Sequence, residues 1–396
     1  MAAHARKTAP LWLLALITVS GTLAMHMFVP ALPVAARDLG ASVAAMQMTI
    51  SLYILGVAGG QLVYGPLSDA LGRRPMLIVG LSLYVVASVA AALAPEVNSL
   101  IAARLFQALG GCAGLALGRA IVRDTAPMDE AVRHLALINL MMMAGPGFAP
   151  LLGSAFSATL GWRSIFLVLG ALGAITLAFT WRLLPETGKP TGTLNLASLG
   201  RDYTALLGSR LFAGFALGGA CSTTSIYAFI SAAPYIVTRE LHRPLHEAGV
   251  YLALVMVGVA LGNILTRQLI RRVPIARLMV AGNAISIVAA GAFLAVTLLG
   301  GLTVAWTLAT AIPFALGAGA ASPAALTKSI SADPQRVGSA SGLYGCGQMI
   351  VGAICTALVG MGQGAAWVAG SVMLGCALLG QTGFWVALSA ERQLKK

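Results

Sequence analysis

Residues 47–75, "QMTISLYILGVAGGQLVYGPLSDALGRRP", hold the pattern that decides the fold. No side chain from Gln47 to Ser68 is charged, and a run of that length matches the ~20 residues a helix needs to cross the hydrocarbon core of a bilayer. Charge then returns abruptly as Asp69, Arg73 and Arg74, in a segment punctuated by Gly65, Pro66 and Gly72, the chemistry of a chain that has left the membrane and turned. Runs of the same kind recur on either side, at 11–36, 45–65, 76–94, 99–120, 134–158, 162–184, 211–237, 247–270, 276–299, 303–325, 336–360 and 364–388. They are apolar all round, unlike the amphipathic helices of a soluble core. The chain is 58% hydrophobic and 9% charged, with mean hydropathy +0.88, against about 25% charged residues in a soluble domain. It reads as an all-α membrane protein with twelve transmembrane helices. The first run is longer than the ~7–15-residue apolar core of a signal peptide and lacks a cleavage site, so it is expected to remain as a span.

The charges orient these spans. With the N-terminus inside, nineteen of the 25 Lys and Arg fall on the cytoplasmic side, four (Arg37, Arg163, Arg239 and Arg243) fall outside, and Arg104 and Arg119 lie within spans. By the positive-inside rule both termini are cytoplasmic. The same asymmetry explains the net charge of +13. Its basic loops suit anionic lipid headgroups, and nucleic-acid binding is excluded because no basic soluble face exists. The five cysteines (Cys112, Cys221, Cys346, Cys355 and Cys376) sit in apolar runs without metal-type spacing and read as packing residues. No catalytic constellation is present, so the chain is not read as an enzyme, and no cofactor or metal is expected.

The longest polar interruption, 184–210, is rich in Pro, Gly, Ser and Thr and separates six spans from six. This divides the chain into an N-terminal six-helix bundle (1–184), a cytoplasmic linker (185–209) and a C-terminal six-helix bundle (210–396). "ALP" at 31–33 returns as "AAP" at 232–234, and "PMLIVG" at 75–80 as "RLMVAG" at 277–282. Two such repeats suit a transporter with a central site near the membrane midplane.

Several motifs carry a family resemblance: "VPALP" (29–33), the 47–75 stretch, "RLFQALGG" (104–111), "RAIVRD" (119–124), "AGPGFAPLLG" (144–153) and "LPET" (184–187). They resemble the major facilitator superfamily, and more narrowly its drug/proton antiporters of the bicyclomycin and chloramphenicol (Bcr/CflA) efflux subgroup. The resemblance implies a fold of two six-helix repeats, alternating access by rocking the bundles, and export of a small organic molecule driven by proton influx. Members of the subgroup commonly carry an aspartate four residues before the first proline of the "PALP" stretch. This chain has His26 there, and its twelve Asp and Glu all fall outside or at the margins of the spans.

His26 is about 22 Å along the first helix, close to the middle of a ~30 Å core. An ionisable side chain at that depth usually faces a cavity, and its ordinary pKa near 6.5 suits proton coupling. A neutral histidine bonded to a neighbouring helix is the alternative. Arg104 and Gln107 share a helix face, and because arginine keeps its charge and the spans hold no carboxylate, Arg104 is expected to line a cavity. Tyr53, Gln61, Tyr227, Ser231, Tyr235, Asn263, Tyr344 and Gln348 are further candidates for the pocket. Gly110, Gly114 and Gly118 turn a different side of their helix outward and suit helix packing. Asp69, Gly72, Arg73, Arg74, Arg119, Arg123, Pro146 and Pro150 are expected to act in gating, with Arg119 able to pair with Asp124.

The resulting expectation is a bacterial inner-membrane secondary transporter, working as a monomer with small-molecule substrate, protons and membrane lipids as partners. Its cargo is expected to be largely neutral or anionic, since nothing in the spans offers a counter-charge to a cation. An importer of a small organic anion is the alternative, and a non-transporting membrane receptor a third.

Overall fold

The structure, a computed structural model, describes residues 10–125, 147–188, 190, 192, 196–270, 272–333, 336–362 and 364–394. No strand occurs among the described residues, and eleven helical segments among them are long and apolar enough to cross a bilayer. The fifth predicted span lies partly outside the described residues, and 147–159 of it is helical. Large apolar side chains such as Val86, Leu167, Trp181, Val288, Leu379 and Trp385 are exposed around the perimeter, as a lipid-facing surface requires.

The first span is not one helix. Helix α1 (Leu11–Met27) stops before Pro30 and a 3-10 turn covers Val29–Ala31, so that α2 (Leu32–Asp38) restarts with Pro33 in its first turn. Proline lacks a backbone donor and disfavours helix at the residue before it, which breaks the span here and is tolerated at the restart. Helix α3 (Val43–Leu71) is capped by Ser42, which accepts from Ala45 N at 3.2 Å, and it ends at Gly72. The N-terminal bundle continues through α4 (Arg73–Ala92), α5 (Val97–Thr125), α6 (147–159) and α7 (Arg163–Leu183). Within the segment read as a linker, residues 196–208 form a helix, α8 (Leu196–Gly208). The seventh span is also divided, into α9 (Arg210–Thr224), α10 (Ile226–Tyr235) and a π turn over Ile236–Glu240. Helices α11 (His246–Leu269), α12 (Ile275–Leu298), α13 (Val304–Ile330), α14 (Val337–Met361) and α15 (Ala365–Leu394) complete the chain.

Helix α5 is packed by α1, α3 and α4, while α13 is packed by α9, α11 and α12. Helix α3 lies along α14, and the broken part of the first span packs on α10 and α11, so these elements join the two bundles. Helices longer than the apolar runs carry Asp69, Arg73, Asp124, Lys328 and Glu391 to one end of the molecule, the basic end.

Close helix approach depends on missing side chains. A Cβ at Gly110 would stand 2.6 Å from Gly80 O and 2.8 Å from Tyr84 Cα, both backbone atoms that cannot swing away. A Cβ at Gly59, within α3, would meet nothing within 4 Å. Gly110→Ala is therefore expected to destabilise the purified protein by about 1–3 kcal/mol through overpacking. Gly59→Ala should be neutral or gain up to about 1 kcal/mol of helix propensity. Thermal unfolding in detergent checks both, and equal melting temperatures would contradict the assigned α4/α5 packing.

Candidate functional site

His26 lies in the last turn of α1, and its Nδ1 is 2.9 Å from Thr22 O. A carbonyl only accepts, so Nδ1 carries a hydrogen, and Nε2 is the atom left to take or release a proton. Nε2 has no hydrogen-bond partner among the described residues. The ring borders a narrow void between the bundles, facing Tyr227, Ser231, Ile230 and Thr356 from the C-terminal side and Met25, Val29 and Ile50 from its own. Its centroid is 6.2 Å from that of Tyr227. The void leaves no room for a water-sized sphere, whereas small-molecule sites usually enclose about 300–1,000 Å³. The bundles must part here before cargo can sit beside His26.

Two hydrogen bonds cross the same plane. Gln47 Nε2 donates to Ser231 O at 2.8 Å, and the Ser51 and Thr356 hydroxyls are 2.6 Å apart. The Tyr227 hydroxyl reaches Met25 Sδ at 3.9 Å, and Pro150 O would lie 2.7 Å from a Cβ at Gly249, which joins α6 to α11.

Arg104 does not line this void, which corrects its expected cavity-facing position. It is fully buried inside the N-terminal bundle. Nη1 donates to Ala24 O at 2.9 Å and to Gln107 Oε1 at 2.6 Å, and the guanidinium lies 4.0 Å from the Tyr53 ring centroid, with Phe28 and Phe166 at 5.6 and 5.7 Å. With no carboxylate partner among the described residues, the charge is held by aromatic faces and by a carbonyl in the last turn of α1, at the negative end of that helix's dipole. Arg104 Nε and Nη2 have no hydrogen-bond partner among the described residues. Gln107 passes the network on by donating to Ser88 Oγ at 2.8 Å, while the hydroxyls of Tyr84 and Tyr53 donate to Ser20 O and Gly21 O on α1.

The other pocket candidates divide by place. Tyr227 and Ser231 join His26 at the void. Tyr53 and Gln107 belong to the arginine cage. Gln348 donates to Thr223 Oγ1 at 2.6 Å and to the buried Tyr344 at 3.4 Å, while Gln61 packs against Gly345. Asn263 bonds its own helix at Val259 O, and buried Tyr235 lies beneath Arg239. Neither borders the void.

At the basic end, Arg73 pairs with Asp69 at 2.5 Å and with Asp124 at 3.1 Å, and also bonds Ser68. Among the described residues Arg73 is thus the partner found for Asp124; the expected pairing with Arg119 falls on a side chain outside them. Arg74 Nη2 donates to Trp181 O at 2.7 Å. Gly72 has φ +104°, which suits glycine alone without strain, and it has no side chain with which to cap α4. Glu186 supplies that cap, accepting from Arg73 N at 2.9 Å and Arg74 N at 3.2 Å. Sequence reading missed Glu186 as a structural partner, although the "LPET" motif marked its position. The side chains of Arg119 and Arg123, and Pro146, lie outside the described residues.

A helical membrane protein of two packed bundles, with a histidine between them and a charge network at one end, is a transporter in architecture. The sequence profile of the Major Facilitator Superfamily matches residues 14–356, and the chain belongs to that family. It is 27% identical over 341 residues to a bicyclomycin resistance protein homologue of Haemophilus influenzae, covering 85% of this chain and 84% of that protein. It is 40% identical over 168 residues to a chloramphenicol resistance protein of Pseudomonas aeruginosa, covering 42% and 40% of the two chains. Both of these relatives are named for resistance to an antibiotic. The crystal structure of a bacterial homologue of the human lysosomal transporter Spinster, inward-facing and occupied, shares the fold at TM-score 0.71 and 17% identity, covering 96% of each chain.

Arg104→Lys keeps the charge but loses the planar stacking on Tyr53 and the arginine fork. The expected outcome is a lower melting temperature than wild type together with reduced transport, since a lysine leaves Gln107 and Ala24 O poorly served. Wild-type values for both would contradict the cage as the support of α1.

Proposed function

We propose that the chain exports small, largely neutral or anionic organic compounds across the bacterial inner membrane, exchanging them for protons by alternating access as a monomer. Both termini and the 185–209 linker are cytoplasmic in this reading, as the charge split favours. The observation that carries it is His26, which borders the void between the bundles with no partner for Nε2 among the described residues. It is the one titratable imidazole or carboxylate among the residues bordering that void. A proton and a cargo that compete for one place at the plane where bundles part are coupled thermodynamically, which is what exchange requires.

Asp69, Gly72, Arg73, Arg74, Arg119, Arg123, Pro146 and Pro150 remain the proposed gating residues. Described contacts favour this for the turn at 68–74, which ties α3 to α5 and α7 and so moves as part of the N-terminal bundle. Import of a small organic anion is a second reading, favoured by the buried charge of Arg104 and the absence of acidic residues from the span centres. The sidedness of uptake in vesicles separates the two, and a receptor would bind without flux.

Replacing His26 with Gln, which cannot titrate, is expected to abolish the dependence of transport on an imposed proton gradient in proteoliposomes. His26→Asp, which restores the residue common in the subgroup, should shift the pH profile or admit cationic compounds. Gradient-driven transport with an unchanged pH profile in His26→Gln would leave His26 a structural residue and overturn the coupling proposal.

A further inference from the structure

The end opposite the basic one holds a cavity of about 610 Å³ between the bundles, a volume within the usual range for small-molecule sites. Arg37 and Gly40 border it from the N-terminal bundle, and Thr238 and Arg239 from the C-terminal bundle. Both arginines are exposed. Each is followed by an acid, but neither acid serves it. Asp38 accepts from Trp162 Nε1 at 3.0 Å and pairs with Arg163, while Glu240 accepts from Ala366 N at 2.9 Å. Arg239 rests 5.2 Å from the Tyr235 ring centroid, and no hydrogen bond from its guanidinium is found among the described residues. No carboxylate partner of Arg37 or Arg239 is found among the described residues.

The two arginines are also related by the internal repeat. "ALPVAARDL" (31–39) and "AAPYIVTREL" (232–241) share the proline and the Arg-acid-Leu end, with three residues between them in the first and four in the second. The additional residue falls where the helix is π over Ile236–Glu240, and a π turn accommodates one residue more than an α turn. The insertion is absorbed locally, so both arginines reach the same cavity. π turns are rare and gather at functional sites.

We propose that this vestibule binds the anionic group of a small organic solute between Arg37 and Arg239. Two planar forked donors suit a carboxylate or similarly charged oxygen group. An anion held there bridges the two bundles at their outer contact, so its binding favours the state in which that contact is closed. The site stands whether or not the chain is an exporter. A lipid phosphate offers the same chemistry and is distinguished in the test.

The test is calorimetric titration of the full chain in zwitterionic nanodiscs with salicylate as the probe and neutral salicylamide as its control. Salicylate is expected to bind, with salicylamide weaker by about tenfold or more, as the loss of charged hydrogen bonds implies. The double exchange Arg37→Gln with Arg239→Gln should cost salicylate a similar factor. If it does not purify, each single exchange should weaken salicylate measurably while leaving the melting temperature unchanged. Equal binding of amide and anion, or unchanged affinity without the two arginines, would overturn it. So would a wild type that binds no salicylate but retains phosphatidylglycerol in an arginine-dependent manner, since the vestibule would then be a headgroup site.

Discussion

A guanidinium that keeps its proton lies fully buried in the N-terminal bundle, and much of the site's geometry follows from satisfying it with no carboxylate partner among the described residues. Arg104 is served by Gln107, by Ala24 O in the last turn of α1 and by the faces of Tyr53, Phe28 and Phe166. The proline-rich break at Val29–Ala31 ends α1 beside it. The same short end of α1 carries His26, which borders the void from the other side of the helix end. A charge held in one layer thus fixes the position of a titratable ring in the next. Buried charges retained in this way are costly unless every part of the arrangement stays in place.

The contact between bundles is made of weaker, exchangeable interactions. Ser51 with Thr356, Gln47 with Ser231, and Tyr227 with Met25 are single polar or soft contacts across the interface. By contrast, Arg73, Asp69, Asp124 and Glu186 clamp the turn after α3 to its own bundle. Strong contacts within bundles and modest ones between them suit rigid-body rocking, in which the interface exchanges while each bundle persists.

Most of the architecture was legible because a bilayer imposes it residue by residue. Apolar length alone marks the spans, and "VPALP" shows two prolines where α1 breaks, although the sequence reading ran one helix through them. A midplane depth for His26 is an expectation from rise per residue, and its meeting with Tyr227 and Ser231 at the void was anticipated only as membership of one pocket. Arg104 was misplaced because its support comes from a carbonyl 80 residues away and from aromatic faces, neither of which has a sequence pattern. Glu186 caps a helix start 113 residues earlier, beyond the reach of local capping rules. The helix Leu196–Gly208 was hidden by the polar composition from which a linker was read.

Proton release on ligand binding tests the role of His26 most directly. Chloramphenicol, as a neutral probe, is added to purified protein in weakly buffered detergent at a pH where the free wild type is protonated at this site. Release of about one proton per chain is expected in the wild type, and none in His26→Gln, if cargo and proton compete at Nε2. Undiminished release from a His26→Gln protein that still binds the probe would contradict His26 as the exchange site.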